Sequence, residues 1–217
     1  YQVGKNRWSD SSLVKLLNKG YSGIGGSIYW NRSSGTCYGA LRFQDFSLDT
    51  YPCDYTTIGL TTTAQNQIGD ALWYLGGASE FKMGAEKYYK DERGTTVYES
   101  ANYPRDINWV GKVALIYPSD YLYTYAYGFN DVCYKYETSK CSVNSTNGSW
   151  MWDNNYCYWL LTSDASSGIY AVYQGFSGEV NGGEVDGSMS VRPTVYLKSG
   201  IEVIGGEGTK TNPYTIS

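Results

Sequence analysis

The chain has 217 residues, 41% of them hydrophobic and only 18% charged, which is enough apolar material for a packed core and excludes an intrinsically disordered segment. Its 17 Lys and Arg against 21 Asp and Glu give a net charge of -4, and no basic run is long enough to track a phosphate backbone, so nucleic acid is excluded as the expected partner. Histidine is absent, which removes the commonest general base, the commonest transition-metal ligand and every Ser-His or Cys-His relay, and no apolar stretch approaches the roughly 18 to 20 residues that a membrane span needs.

Taken in chain order, Trp8-Ser9-Asp10-Ser11-Ser12-Leu13 supplies cap residues ahead of Leu13, Leu16 and Leu17. It predicts a short amphipathic helix that Gly20 would end in a left-handed conformation. Cys37 and Cys53 flank a polar loop and are read as a disulfide staple; Cys133 and Cys141 are read the same way. Thr61-Thr62-Thr63 offers a second cap, and Ile68, Ala71, Leu72 and Leu75 follow at helical spacing before Gly76-Gly77, so a second helix is expected there. Residues 77–108 lack clear periodicity and read as a long surface excursion with one short hairpin. Val110 to Tyr117 reads as a buried strand, which Pro118-Ser119-Asp120 would end while capping a turn of helix.

From Trp159 onward the pattern is β, with strands at Trp159–Thr162, Ile169–Tyr173, around Val180, around Val185 and at Val191–Leu197, separated by Gly, Asn and Ser turns. Helices first and a meander last predict an α+β fold. The fifth cysteine, Cys157, has two readings, a reactive or intermolecular thiol and a small side chain beside a strand. No cysteine spacing is zinc-like. The triplets starting at Asn31, Asn144 and Asn147 match the N-glycosylation pattern and suit surface loops.

Several of these segments carry a resemblance. Trp159-Leu160-Leu161-Thr162-Ser163, a Gly-punctuated run of about thirty residues and Val191-Arg192-Pro193-Thr194-Val195-Tyr196-Leu197-Lys198-Ser199 resemble the carboxy-terminal half of gut Firmicutes surface and pilin-like proteins. Gly205-Gly206-Glu207-Gly208-Thr209-Lys210-Thr211-Asn212-Pro213-Tyr214 is similar to their tail, Leu115-Ile116-Tyr117-Pro118-Ser119-Asp120-Tyr121 to their internal strand and turn, and Trp8 to Leu13 to their opening helix. Ala71-Leu72-Trp73-Tyr74-Leu75-Gly76-Gly77 is similar to their central helix. A more distant similarity is to the C-type lectin fold of the formylglycine-generating enzyme family and of retroelement-diversified variable proteins. There a Trp-containing strand precedes a Gly-rich ligand face and an Arg-containing strand closes the sheet.

This resemblance implies one extracellular domain over 1–217, C-type-lectin-like, with two amphipathic helices packed on a mostly antiparallel sheet, long loops, and a ligand-display half at about 159–217. It places the variable face between Asp164 and Ser190, where Tyr170, Tyr173, Gln174, Phe176, Glu179, Asn181, Glu184 and Asp186 have the side chains of a displayed binding surface. The other reading is that Tyr170 and Tyr173 are ordinary strand residues, since period-2 alternation prevents adjacent residues from facing the same way. Ser190 stands where these proteins have Gly, and Cys157 where they have a polar residue. No cysteine pair matches the arrangement of the formylglycine-generating enzyme, so its activity is not carried over.

The expected function is adhesin-like binding of a host or microbial glycan or protein at a bacterial cell surface, without catalysis, the face being open to retroelement diversification. A phage receptor-binding tip is a variant of this reading. A structural pilin subunit and a carbohydrate-active enzyme using two carboxylates are the alternatives. The opening at Tyr1, without Met or signal, leads us to expect a trimmed ectodomain that joins a pilus or envelope assembly through a preceding region. No cofactor is expected. A lectin-type calcium site from Asp153, Asp164, Asp186, Glu179 and Glu184 lacks the alternating ladder of a calcium loop. Arg192 is expected in an internal salt bridge or a backbone-carbonyl clamp rather than on a ligand carboxylate.

Overall fold

The computed structural model describes residues 6–18, 34–41, 48–54, 61–94, 106–124, 149, 151–152, 155–187, 189–209 and 211–217, with 34–41 and 48–54 described by backbone alone. The architecture is α+β, with short helices and mainly antiparallel strand pairs. Among the described residues, no helix is long and apolar enough to cross a membrane.

A 3-10 turn at Trp8–Asp10 leads into α1 (Ser12–Leu17). The Ser11 hydroxyl caps α1 by accepting from the Val14 N–H at 3.1 Å. The helix ends at Asn18, before the expected Gly20, because the Asn18 carboxamide takes over the closing bonds: it donates to Val14 O at 2.8 Å and to Val113 O at 3.0 Å, and accepts from Val113 N. One side chain thus stops the helix and staples it to a strand. A hairpin of β1 (Ser34–Leu41) and β2 (Leu48–Asp54) sets Cys37 opposite Tyr51 and Cys53 opposite Gly35, two residues apart along the ladder. The Cys37 and Cys53 side chains, all of Cys133 and Cys141, and the three Asn triplets except Ser149 lie outside the described residues.

The helix expected over 61–75 is a helix only in part. Thr61 caps α2 (Thr62–Gln67), with its hydroxyl accepting from Ala64 N at 3.1 Å. The backbone then turns extended at Ile68, and Ala71–Tyr74 is strand β3, paired antiparallel with β4 (Asn108–Gly111). The apolar spacing over Ile68, Ala71, Leu72 and Leu75 fits a helix, but burial alternates along the strand: Trp73 is 1% exposed while its neighbours Leu72 and Tyr74 are 48% and 42% exposed. Gly76 is needed for close approach, since a Cβ there would lie 2.0 Å from the Asp91 carbonyl oxygen. The same stretch offered as the resembling family's central helix is therefore a strand.

The described part of 77–108 is not a surface excursion. Ala78 docks at the end of the main sheet, its N–H bonded to Ser163 O at 2.8 Å. Helix α3 (Ala85–Arg93) buries Ala85, Tyr88 and Glu92, one face at helical spacing. The expected strand at 110–117 is split into β4 and β5 (Val113–Leu115), and Pro118 opens α4 (Pro118–Tyr123) as expected.

The main sheet has four strands in the order β8-β7-β6-β9, from β6 (Tyr158–Ser163), β7 (Tyr170–Gln174), β8 (Val180–Glu184) and β9 (Ser190–Val191). The pairs β6–β7 and β7–β8 are antiparallel and β6–β9 is parallel. The strands expected around Val180 and Val185 are one element, whose pairing runs on through Val185 N to Ile169 O at 2.9 Å. The expected strand Val191–Leu197 breaks at Arg192. Its second half, β10 (Pro193–Val195), leaves the main sheet and pairs with β5, so this segment ties two sheets together. A last hairpin, β11 (Val203–Gly205) with β12 (Thr215–Ile216), is largely exposed.

The main sheet separates two cores. Leu160, Val172 and Val180 pack with α3 and α4 residues such as Tyr88, Tyr121 and Leu122 on one side. Leu161 joins Trp8, Trp73 and Leu115 on the other, with Trp159 and Val191 packed against that cluster. A buried polar knot joins α3 to α4. Glu92, fully buried, accepts from the Ser119 N–H at 3.0 Å, from the Ser119 hydroxyl and from Arg93 Nη1 at 3.0 Å. Arg93 also binds both oxygens of Asp120 at 3.1 Å and lies over the Tyr89 and Tyr117 rings. Burial raises the Glu92 carboxyl to about 7, against the lowering effect of these donors.

Candidate functional site

The predicted face between Asp164 and Ser190 is divided by the strand period. Val172 and Gln174 of β7 point into the first core, and Gln174 is 1% exposed. It is not a displayed residue: its Nε2 donates to Gly175 O, and its Oε1 has no partner among the described residues. Tyr170 has the same parity as Val172. It sits where the strand begins, its ring 6.1 Å from that of Phe81 and its hydroxyl donating to Glu184 Oε1 at 3.2 Å, a bond that raises the phenol pKa. Tyr170 and Glu184 are register partners and so share that face.

Tyr173 has the opposite parity. It pairs with Trp159 on β6 and with Asn181 on β8, which brings the three residues to one face. The Trp159 and Tyr173 rings meet edge to face at 6.3 Å and 83°. Across the strand lies Gly183, where a Cβ would come 3.1 Å from the Tyr173 ring and 3.2 Å from the Met189 methyl. Glycine at this position lets the tyrosine ring lie down against the sheet. On the β6–β9 half of this face, Trp159 and Val191 pack against the second core. On the β7–β8 half, Ala171, Tyr173, Asn181 and Gly183 remain part-exposed.

The turn between β7 and β8 completes the rim. Phe176 is 58% exposed, and its carbonyl accepts from Trp152 Nε1 at 3.1 Å. Glu179 folds back over Gly175 and accepts from Ser177 N at 3.1 Å. Burial together with the neighbouring Glu179 and Cys157 raises the Tyr173 phenol. Asp186 is exposed beyond the end of β8. Cys157, a free cysteine half-buried beside this turn, has its thiol raised by burial and by Glu179, against a lowering hydrogen bond from the Phe176 backbone. That shift disfavours the thiolate and fits the packing reading better than the reactive one.

Of the eight expected face residues, Tyr173 and Asn181 come together, Phe176 and Glu179 adjoin them in the turn, Tyr170, Gln174 and Glu184 belong to the other side, and Asp186 lies beyond the end of β8. Trp159, Gly183 and Met189 were not among the expected residues. The Trp159–Tyr173 pairing depends on register across a bulged ladder, which residue type does not reveal; only the alternation around Tyr173 was available as a signal.

Of the acidic residues, Asp164, Glu179 and Glu184 serve local structure, and Asp153 lies outside the described residues. Asp164 accepts from Ser166 N at 2.7 Å and from the Ser166 hydroxyl at 2.8 Å, closing its own turn. Among the described residues, no group of three or more His, Cys, Asp or Glu is arranged to hold a metal ion. Arg192 is a backbone-carbonyl clamp: it donates to Met151 O and to the Tyr158 hydroxyl at 2.7 Å, with its guanidinium 3.9 Å above the Tyr158 ring. It fastens the point where β9 passes into β10. No protein-family model, curated protein or solved structure matches this chain.

Proposed function

We propose that this chain is an extracellular, adhesin-like ligand-binding domain of a bacterial surface or pilin-like protein. It binds a glycan or protein through the open β7–β8 half of the main sheet and performs no chemistry. The architecture we assign is C-type-lectin-like, with the Trp-containing strand β6 and the Arg-containing β9–β10 segment framing the Gly-rich face. The observation that carries this reading is the Tyr173 ring, lying beside Trp159 and against Gly183, with Asn181 as its register partner. Rings held flat on a glycine floor give contact area at low entropy cost, and the adjacent carboxamide gives direction to hydrogen bonds. No cofactor takes part.

The test is binding of the oxidised chain to a panel of host and microbial glycans and mucosal proteins. Tyr173→Ala is expected to abolish specific binding while the protein stays folded, and Tyr170→Ala to leave most of it. Loss in Tyr170→Ala alone would move the site to the other side of the sheet.

A second reading, a structural pilin subunit, is favoured by one observation. The β11–β12 hairpin carries Val203, Ile204 and Tyr214 largely exposed, a surface suited to contact between subunits. Concentration-dependent assembly that is lost in Ile204→Lys would support it.

A further inference from the structure

We propose that the groove between the ends of α1 and α2, outside the 164–190 display interval, is a binding site for a small aliphatic carboxylate. The groove encloses about 130 Å³. Its base is the buried side chains of Leu17, Ile68 and Val113, and its polar lining includes Asn18 and Gln65. Among the described residues, Lys112 and Lys198 are the charged ones that line it, and no Asp or Glu does. An apolar base lined by two lysines selects a ligand with a short hydrocarbon part and one negative charge.

The groove is preformed. The Asn18 carboxamide is held by three bonds to Val14 and Val113. The end of α2 is fastened to the 196–198 segment by Gly69 N to Tyr196 O at 2.9 Å and by Lys198 N to Gln67 O at 2.8 Å. The lysines are not neutralised from within. Lys112 donates to Ile68 O at 3.2 Å, which orients it, and its carboxylate contact is Asp70 at 3.6 Å, a side chain two-thirds exposed to water. Lys198 has no carboxylate partner among the described residues. The volume is close to the roughly 150 Å³ that holds a six-carbon ring, so acids of about four to six carbons fit.

The experiment is a titration of the full ¹⁵N-labelled chain with pentanoate, followed by amide shifts, with pentylammonium and 1-pentanol as matched controls. Saturable shifts centred on residues 17–18, 65–68, 112–113 and 198 are expected, with affinity rising roughly fourfold per methylene from propanoate to pentanoate. Lys198→Met, an exposed substitution, is expected to weaken pentanoate binding roughly tenfold or more, and Lys198→Arg to restore most of it. Equal binding of pentylammonium or pentanol, saturable shifts centred elsewhere, or no saturable shift with pentanoate would each overturn the proposal. None of these outcomes bears on binding at Tyr173, so the two sites stand or fall separately.

Discussion

The two faces of the main sheet use the same strands for opposite purposes. On the side of Val172, Gln174 and Val180, the side chains meet α3, α4 and the Phe81 loop, and Phe81 lies so close over Gly182 that a Cβ there would come 2.4 Å from its ring. On the side of Tyr173, Asn181 and Gly183, the β7–β8 half stays part-exposed and carries an aromatic ring and two small residues. Adjacent residues on one strand therefore divide between holding the fold and presenting a surface.

The sharpest test of that division sets Leu160→Ala against Tyr173→Ala. Leu160 is buried in the first core, and its truncation is expected to cost about 2–5 kcal/mol in urea unfolding through lost transfer energy and the cavity left behind. Tyr173→Ala is expected to cost less, about 1 kcal/mol, because the ring is only part-buried, at the surface of the sheet. Equal costs would make Tyr173 a core residue and end the comparison.

Glu92 offers a second test of the core side. Its carboxyl titrates near 7 when folded and near 4.5 when unfolded, so the folded state binds the extra proton. The contribution of Glu92 is fully present below pH 4.5, declines as pH rises through the folded value near 7, and is lost above it; the span is about 3 kcal/mol. Asp106 runs the other way. Hydrogen bonds from Arg7 and Ser9 hold its pKa low, so its contribution is present above the unfolded value and is lost as pH falls through the folded one. Comparing urea midpoints at pH 4.5 and 7.5 in wild type and Glu92→Gln isolates the first effect, since Gln keeps an acceptor for Ser119 and does not titrate. An unchanged pH slope in Glu92→Gln would remove Glu92 as its source.

Much of the architecture was legible where a signal was local. The Ser11 and Thr61 caps, Pro118 opening α4, and strands β6 and β7 follow from residue type and spacing within a few positions. The failures have a common cause. Ala71 to Leu75 satisfy a helical spacing, yet the segment is a strand because pairing with β4 and burial of Trp73 outweigh local preference, and Gly76 answers to the approach of the α3 backbone. In α3, a Glu at a core position reads as a surface residue until Ser119 arrives from elsewhere in the chain. The candidate face was half legible for the same reason. Composition pointed to the interval, but which residues share a side depends on the register of β6, β7 and β8, and Trp159 enters only through that register.

The two adjacent glycines of β8 give the finest discrimination between the faces. An added methyl at Gly182 overlaps the Phe81 ring, which is itself packed on the first core, so Gly182→Ala is expected to destabilise by about 1–3 kcal/mol. At Gly183 the same methyl meets Tyr173 and Met189 at 3.1 and 3.2 Å, on the open side, where a shift of a few tenths of an ångström relieves the contact. The expected stability change for Gly183→Ala is therefore about 0.5 kcal/mol or less in either direction, while the tilt it forces on the Tyr173 ring weakens ligand binding. Thermal unfolding of both variants, with binding measured on the same samples, would show stability and binding failing at neighbouring positions for separate reasons. If Gly182→Ala alone impaired binding, the ligand surface would lie on the Phe81 side and Tyr173 would be a bystander.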